Sequence, residues 1–296
     1  MTIREGFVDI GDAKLHYFAA GDPAKPMLVF LHGFPEFGGM WRATMERLSD
    51  RFFCLAPDQL GYNLSDKPDE IARYRTKRLV EDVTSFVKAF PPRRKFTLVA
   101  HDWGGAVGWA YALKHPETLS KLVIVNAVHP AAFQREIARN SDQAKASQYM
   151  VDMQGADADA AFAADDFARL RHSFRQITMS AAELADYRGA WSQPGAIRGM
   201  LNWYRAMRLV PPAVKDGVAT SAAPRAYDEA ALTVKVPTLV LWGLQDQALL
   251  PGCIKGLDQW VPQLTLKTFA EASHWLVHEE PEQVAAEIAA FAGAAA

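Results

Sequence analysis

One carboxylate in this sequence stands where a nucleophile is usually found. The apolar run 96–100 leads into His101–Gly105, which reads His-Asp-Trp-Gly-Gly, and a helical stretch follows at 106–113. A strand, a tight turn of small residues and a helix make a nucleophile elbow, whose common form is Gly-x-Ser-x-Gly. Asp102 takes the apex and is ionised at neutral pH without an activating base. Since a carboxylate attacks saturated carbon, the sequence predicts a covalent alkyl ester.

Two further residues complete a hydrolytic set with Asp102. Asp246 lies in a loop after the apolar run 238–242, and His274 in a loop after the run 264–267. The chain order nucleophile, acid, histidine belongs to this architecture. We predict that His274 activates the water that attacks the ester, and that Asp246 fixes and stabilises the imidazole. Taken singly, Asp102 is also a good helix cap and Asp246 a common turn residue, but the three together favour catalysis.

A loop near the N-terminus is a candidate for anion stabilisation. His32–Glu36 reads His-Gly-Phe-Pro-Glu and follows an apolar run. We expect the backbone N–H of Phe34, with that of Trp103, to stabilise the oxyanion of ester hydrolysis. His32 is expected to support this loop and Pro35 to stiffen it, for which a cis peptide bond is one means.

Short apolar runs alternate with helical stretches, which is typical of a mostly parallel sheet covered by helices. Six runs are apolar enough for strands buried on both faces, at 27–31, 52–56, 96–100, 122–125, 238–242 and 264–267. Two earlier runs, around 7–10 and 15–18, predict an antiparallel hairpin at the sheet edge. The pattern therefore predicts an α/β fold with an eight-stranded sheet and flanking helices.

The pattern changes in the middle of the chain, where strand signals disappear and helical periodicity with Ala, Gln, Arg and aromatic residues takes over. A helical insertion here would lie over the carboxyl ends of the strands, where open α/β sheets bind ligands. We therefore predict a core of residues 1–129 and 224–296, and a helical cap at 130–223.

The composition argues against several kinds of partner. Half of the 296 residues are hydrophobic and the formal net charge is −2, so no bulk positive charge attracts nucleic acid. No apolar run reaches the roughly 18 residues of a membrane span, and the N-terminal residues do not resemble a signal peptide. With Cys54 and Cys253 as the two cysteines, we expect reduced thiols, no metal and no cofactor in a cytoplasmic protein. The oligomeric state stays open, and a homodimer is compatible with the sequence.

Together these motifs resemble those of the α/β-hydrolase-fold epoxide hydrolases. The resemblance rests on His32–Pro35, the His101–Gly105 turn, Asp246 and His274, and it extends over essentially the whole chain. It implies an α/β-hydrolase fold with a cap. It also implies that small hydrophobic epoxides and water are converted to vicinal diols through the Asp102 ester.

In that family two cap tyrosines donate hydrogen bonds to the epoxide oxygen. Tyr204 in Leu201–Arg205, which reads Leu-Asn-Trp-Tyr-Arg, resembles the second closely, and Tyr187 in Glu183–Tyr187 resembles the first more loosely. Tyr149 competes with Tyr187 for the first position. Two phenols can stabilise or protonate the alkoxide that ring opening generates. The simpler alternative for each tyrosine is that its ring only packs in the core.

Four further residues are expected to bind substrate. Phe34, Trp103 and Trp191 would form apolar walls that exclude bulk water and favour a hydrophobic epoxide, and Pro35 would hold the loop beside them.

Other functions fit parts of the same pattern. Haloalkane dehalogenases share the carboxylate attack but need two N–H donors for the halide. Trp103 could be one, yet Phe34 stands where the second, often asparagine, is found. Fluoroacetate dehalogenases, which act on a haloacid, usually carry arginine at the place of Trp103. A non-catalytic ligand receptor with this fold would not need the complete set of nucleophile, acid, base and cap tyrosines.

Overall fold

An eight-stranded sheet runs through the centre of the computed structural model, which describes residues 2–91, 95–139, 141–215, 218–219 and 227–293. The strands of the described residues are β1 (Arg4–Asp9), β2 (Lys14–Ala20), β3 (Met27–Leu31), β4 (Phe53–Pro57), β5 (Phe96–His101), β6 (Leu119–Val125), β7 (Val214–Lys215), β8 (Val218–Ala219), β9 (Thr238–Gly243) and β10 (Leu264–Phe269). Strands β7 and β8 form a separate antiparallel ribbon.

The sheet has the order β1-β2-β4-β3-β5-β6-β9-β10. Strands β1 and β2 pair antiparallel with their neighbours and the other pairs are parallel, so the predicted mostly parallel sheet with an edge hairpin is confirmed. The expectation that β10 is buried on both faces was wrong. It is the other edge strand and most of its side chains are exposed, because no further strand covers it.

Helices cover the sheet and fill the segment between β6 and β9. The helices of the described residues are α1 (Arg42–Leu48), α2 (Thr76–Lys88), α3 (Asp102–Lys114), α4 (Pro130–Arg139), α5 (Ser141–Ala146), α6 (Tyr149–Asp152), α7 (Ala158–Ser173), α8 (Ala181–Trp191), α9 (Ala196–Arg205), α10 (Leu276–Glu279) and α11 (Pro281–Gly293). Helices α4 to α9 occupy the segment predicted as a cap, whereas the predicted return to the core at 224 lies outside the described residues. In the part of the chain that the structure describes, none of the helices has the length and apolarity to cross a bilayer.

Helix α9 rests on the core through a close backbone contact. A Cβ atom added at Gly199 would lie 2.5 Å from the carbonyl oxygen of Gly61, which lies in the loop after β4. Only glycine therefore lets the helix approach this loop so closely. Four residues further along the helix, the indole N–H of Trp203 donates to the carbonyl oxygen of Leu60 at 2.9 Å. These two contacts fix the height and rotation of α9, and with them the position of Tyr204.

We expect Gly199→Ala to destabilise the protein by about 1–3 kcal/mol, because its methyl group meets backbone that cannot move aside cheaply. The matched control is Gly189→Ala on α8, where an added Cβ meets nothing within 4 Å. That change should stabilise by about 0.5–1 kcal/mol, since alanine is the better helix former. Denaturant unfolding of both variants measures the difference, and equal midpoints would refute the close-contact interpretation.

Candidate active site

The nucleophile elbow joins β5 to α3 without an intervening loop. Asp102 is the first residue of α3 and has a φ of 50°, in the left-handed region that non-glycine residues enter at a cost. A Cβ added at Gly104 would lie 2.5 Å from the carbonyl oxygen of His32, so glycine is needed there for the loop after β3 to approach the turn. The elbow therefore projects the Asp102 carboxylate above the carboxyl ends of the strands, opposite that loop.

The Asp102 carboxylate is held by one donor and one charge. The backbone N–H of Phe34 donates to Oδ1 at 2.7 Å, and Nε2 of His274 lies 3.6 Å from Oδ2. Burial alone would raise the pKa of Asp102, but the His274 side chain and the Phe34 N–H outweigh it and lower the pKa. The carboxyl group is thus ionised at neutral pH and ready to act as a nucleophile.

His274 lies between two carboxylates. Its Nδ1 donates to Oδ2 of Asp246 at 2.7 Å, and the other Asp246 oxygen accepts the backbone N–H groups of Ala248 and Leu249, each at 2.8 Å. Burial alone would lower the pKa of His274, but Asp246 and Asp102 outweigh it and raise the pKa well above its usual value. The free site therefore holds an imidazolium between two anions.

Asn126 orients the acid and was missed by the sequence analysis. It follows β6 directly, has a φ of 39° and is fully buried. Its Nδ2 donates to the same Asp246 oxygen that His274 contacts, at 2.9 Å, and its Oδ1 accepts the N–H of Gly243 at 2.9 Å. The amide thus joins the ends of β6 and β9. The sequence did hold a signal that could have identified Asn126, because a polar residue there directly follows a predicted strand.

A buried polar cluster lies behind the catalytic groups. Glu36 contacts His278 Nε2 through Oε1 at 2.6 Å and His101 Nδ1 through Oε2 at 3.1 Å, and the Tyr187 hydroxyl donates to Oε1 at 2.9 Å. Burial would raise the pKa of Glu36, but the two histidines hold it far below its usual value. The Nε2–H of His101 donates to the carbonyl oxygen of His274 at 2.9 Å, which ties this cluster to the base.

The prediction that Tyr187 faces the nucleophile was therefore wrong in placement. The Tyr187 hydroxyl is committed to Glu36, and the residue does not line the cavity over Asp102. Tyr149, the competing candidate, lines that cavity together with Tyr204. Sequence spacing alone could not separate the two tyrosines, because the choice depends on how α6 and α8 pack over the core.

A cavity of about 600 Å³ opens above Asp102 and His274, with Phe34, Tyr149 and Tyr204 in its wall. The Tyr204 ring packs edge-on against Phe34, with 5.2 Å between ring centroids, and its centroid lies 6.2 Å from that of Tyr149. Burial raises the pKa of both phenols well above the usual value. They therefore stay protonated and can act as hydrogen-bond donors.

Three of the expected substrate-binding residues lie outside the cavity wall. Trp191 donates its indole N–H to the carbonyl oxygen of Pro35 at 2.6 Å, behind the loop that carries Phe34. The Phe34–Pro35 peptide bond is cis. Trp103 packs edge-on against Tyr204, with 5.0 Å between ring centroids, and supports that tyrosine from behind. Of the four expected residues, Phe34 is the one that lines the cavity.

Comparison with known proteins places this arrangement in a family. A sequence profile of the α/β-hydrolase fold matches residues 26–281. The chain belongs to this family. An AB hydrolase superfamily protein of Bacillus subtilis is 35% identical over 93% of this chain and 93% of its own length.

The similarity to epoxide hydrolases expected from the sequence is also confirmed. Epoxide hydrolase 1 of Caenorhabditis elegans is 31% identical over 96% of this chain and 69% of its own length. The crystal structure of an epoxide hydrolase from Bacillus megaterium in complex with an inhibitor is 31% identical and superimposes with a TM-score of 0.86, covering 98% of this chain and 100% of that one.

We expect Asp246→Asn to lower the pKa of His274, because the substitution removes the anion nearest to the imidazole and leaves its burial unchanged. Titration of the His274 ring carbon and proton signals by NMR measures the shift. Asp258→Asn, at an exposed position, is the control and should leave the titration unchanged. The same His274 midpoint in all three proteins would contradict the electrostatic account.

Proposed function

We propose that this protein hydrolyses epoxides to vicinal diols through a covalent ester on Asp102. The observation that carries the proposal is the placement of an ionised carboxylate nucleophile and two protonated phenols, those of Tyr149 and Tyr204, in the wall of one cavity. The His274–Asp246 pair beside the nucleophile supplies the base for ester hydrolysis. The epoxide hydrolase names of several relatives support the same reaction.

In the first step a carboxylate oxygen of Asp102 attacks a ring carbon of the epoxide. A new C–O bond forms to the carboxylate, the ring C–O bond breaks, and its electron pair stays on the epoxide oxygen. A proton from Tyr149 or Tyr204 neutralises this alkoxide, which leaves a phenolate. Hydrogen bonds from both phenols stabilise the developing charge.

In the second step water attacks the ester carbonyl carbon. Alkylation removes the negative charge of Asp102, which is one of the two groups that raise the pKa of His274. In the alkylated enzyme the His274 imidazolium is therefore a stronger acid, and its proton can pass to the phenolate. Neutral His274 then accepts a proton from the attacking water, and the Phe34 N–H, with that of Trp103, stabilises the oxyanion. The oxyanion then collapses: the bond between the carboxyl carbon and the alkyl oxygen breaks, and this oxygen takes up the proton of the newly formed carboxylic acid. The diol leaves, Asp102 is again a carboxylate, and the proton taken from water stays on His274.

Halide release from a haloalkane is the alternative that uses the same nucleophile. It needs side-chain N–H donors facing the cavity, whereas Phe34 offers none and Trp103 does not line the wall. Tyr149 and Tyr204, which do line the wall, can donate a proton to an epoxide oxygen, and this oxygen stays bonded to the substrate after the ring opens. The geometry therefore favours epoxides over haloalkanes and haloacids.

We expect His274→Gln to form the ester but to hydrolyse it about 10²–10⁴-fold more slowly, because the general base is lost. Intact-protein mass spectrometry after mixing with styrene oxide should show an adduct of one substrate mass, located on Asp102 by peptide mapping. Asp102→Asn is the control and should form none. An adduct on another residue, or no adduct while wild-type protein yields diol, would refute the ester mechanism.

Tyr149→Phe and Tyr204→Phe should each slow ring opening by about 10²-fold, because each removes one donor to the epoxide oxygen. Tyr187→Phe should change this step less than tenfold, since the Tyr187 hydroxyl bonds Glu36 outside the cavity. Single-turnover rates of alkylation in the His274→Gln background separate this step from hydrolysis. A larger loss in Tyr187→Phe than in Tyr149→Phe would restore Tyr187 as the first cap tyrosine.

A further inference from the structure

The cavity above Asp102 changes character between its inner and outer ends. The catalytic groups at the inner end, among them His274 and Tyr204, are buried. Apolar side chains follow in the wall, including Met153, Phe162 and Trp275. The outer end is formed by exposed polar and charged side chains, which we call the rim: Asp152, Arg169, His172, Arg175 and Gln247. A bound molecule that fills the cavity therefore meets an apolar section and then charges.

Arg169 lies on α7 and Arg175 comes two residues after its end, and both differ from the other arginines of α7, α8 and α9. Four of those pair with cap or core carboxylates: Arg171 and Arg188 with Asp166, Arg198 with Asp69 and Asp159, and Arg205 with Asp159. Arg169 and Arg175 have no carboxylate partner among the described residues. Arg175 donates to the amide oxygen of Gln247 at 2.7 Å, and the Arg169 guanidinium lies 5.6 Å from the centroid of the Phe162 ring.

These contacts hold both guanidinium groups at the rim without neutralising them. A guanidinium has five N–H donors, and the bond from Arg175 to Gln247 leaves most of them free. Asp152 is the one carboxylate among the rim residues, so two cations face one anion there. Carboxylates suit such a site because they accept paired N–H donors from a guanidinium.

We propose that this cavity binds epoxides that carry a carboxylate at the end remote from the ring. The inference rests on the proposed epoxide hydrolysis and adds the substrate class. The epoxide ring lies at Asp102, an apolar chain follows the inner wall, and the carboxylate meets Arg169 and Arg175 at the rim. These two arginines act on substrate binding and not on the chemical steps.

The test compares straight-chain carboxylic acids with a terminal epoxide, in a series of chain lengths, with their primary amides. Acid and amide have nearly the same shape, so the charge is the difference between them. At the chain length that spans the cavity, wild-type protein should show a KM for the acid about fivefold below that for the amide, the size expected of an exposed ion pair. The kcat values should agree, and added salt should reduce the difference in KM.

The double variant Arg169→Gln/Arg175→Gln should raise the KM for the acid to that for the amide and leave the amide unchanged. The control Arg47→Gln/Arg78→Gln removes the same charge from α1 and α2 on the core, and should keep the preference. Equal KM values in wild-type protein at every chain length would overturn the inference. So would a preference that survives in the rim double variant.

Binding of the acid and the amide to Asp102→Asn, measured by calorimetry, separates this inference from the proposed function. Tighter binding of the acid supports the rim assignment even if no diol forms in wild-type protein, in which case the proposed function fails. Diol from the amide with equal binding of both compounds overturns the rim assignment and leaves the proposed function standing.

Discussion

The attraction of one imidazolium for two carboxylates is the interaction on which the site depends. Asp102, Asp246 and His274 follow β5, β9 and β10, and the sheet brings the ends of these strands to one edge with β6 between them. Asn126 at the end of β6 then bonds the acid directly. A buried charge is costly unless it is paired, so these strand ends must keep their register. The parallel sheet serves as the frame that holds three charges in place.

The cap contributes its chemistry through packing rather than charge. Tyr204 reaches the cavity because α9 sits on a glycine contact and on the Trp203 bond, and because Trp103 and Phe34 support its ring edge-on. Tyr149 lies on the four-residue helix α6 and lines the same cavity as Tyr204 and Asp102. Burial keeps both phenols protonated. The donors and the nucleophile thus belong to different parts of the fold that meet at the cavity.

The strands, the elbow and the chain order of the three polar residues could be predicted from sequence, because each leaves a local pattern of apolar runs and turns. The contacts of Tyr187 and Trp191 could not, since each aromatic residue looks the same in sequence whether its polar atom faces a cavity or a core loop. Glu36 left no signal either. Its burial depends on two histidines that come from distant strands and helices. The exposure of β10 followed from sheet order, which composition does not show.

Aromatic donors fasten the cap to the core. Trp191, Trp203 and Tyr187 bond to acceptors on core loops, and Trp275 of the core donates to the carbonyl oxygen of Ser173 at 3.0 Å. Each donor left unpaired in a buried interface costs about 1–3 kcal/mol. Lifting helices α8 and α9 away from the core would break the bonds of Trp191, Trp203 and Tyr187 together, so these bonds oppose such a movement. With these helices held down, the exposed outer end of the cavity is the route by which small molecules reach Asp102.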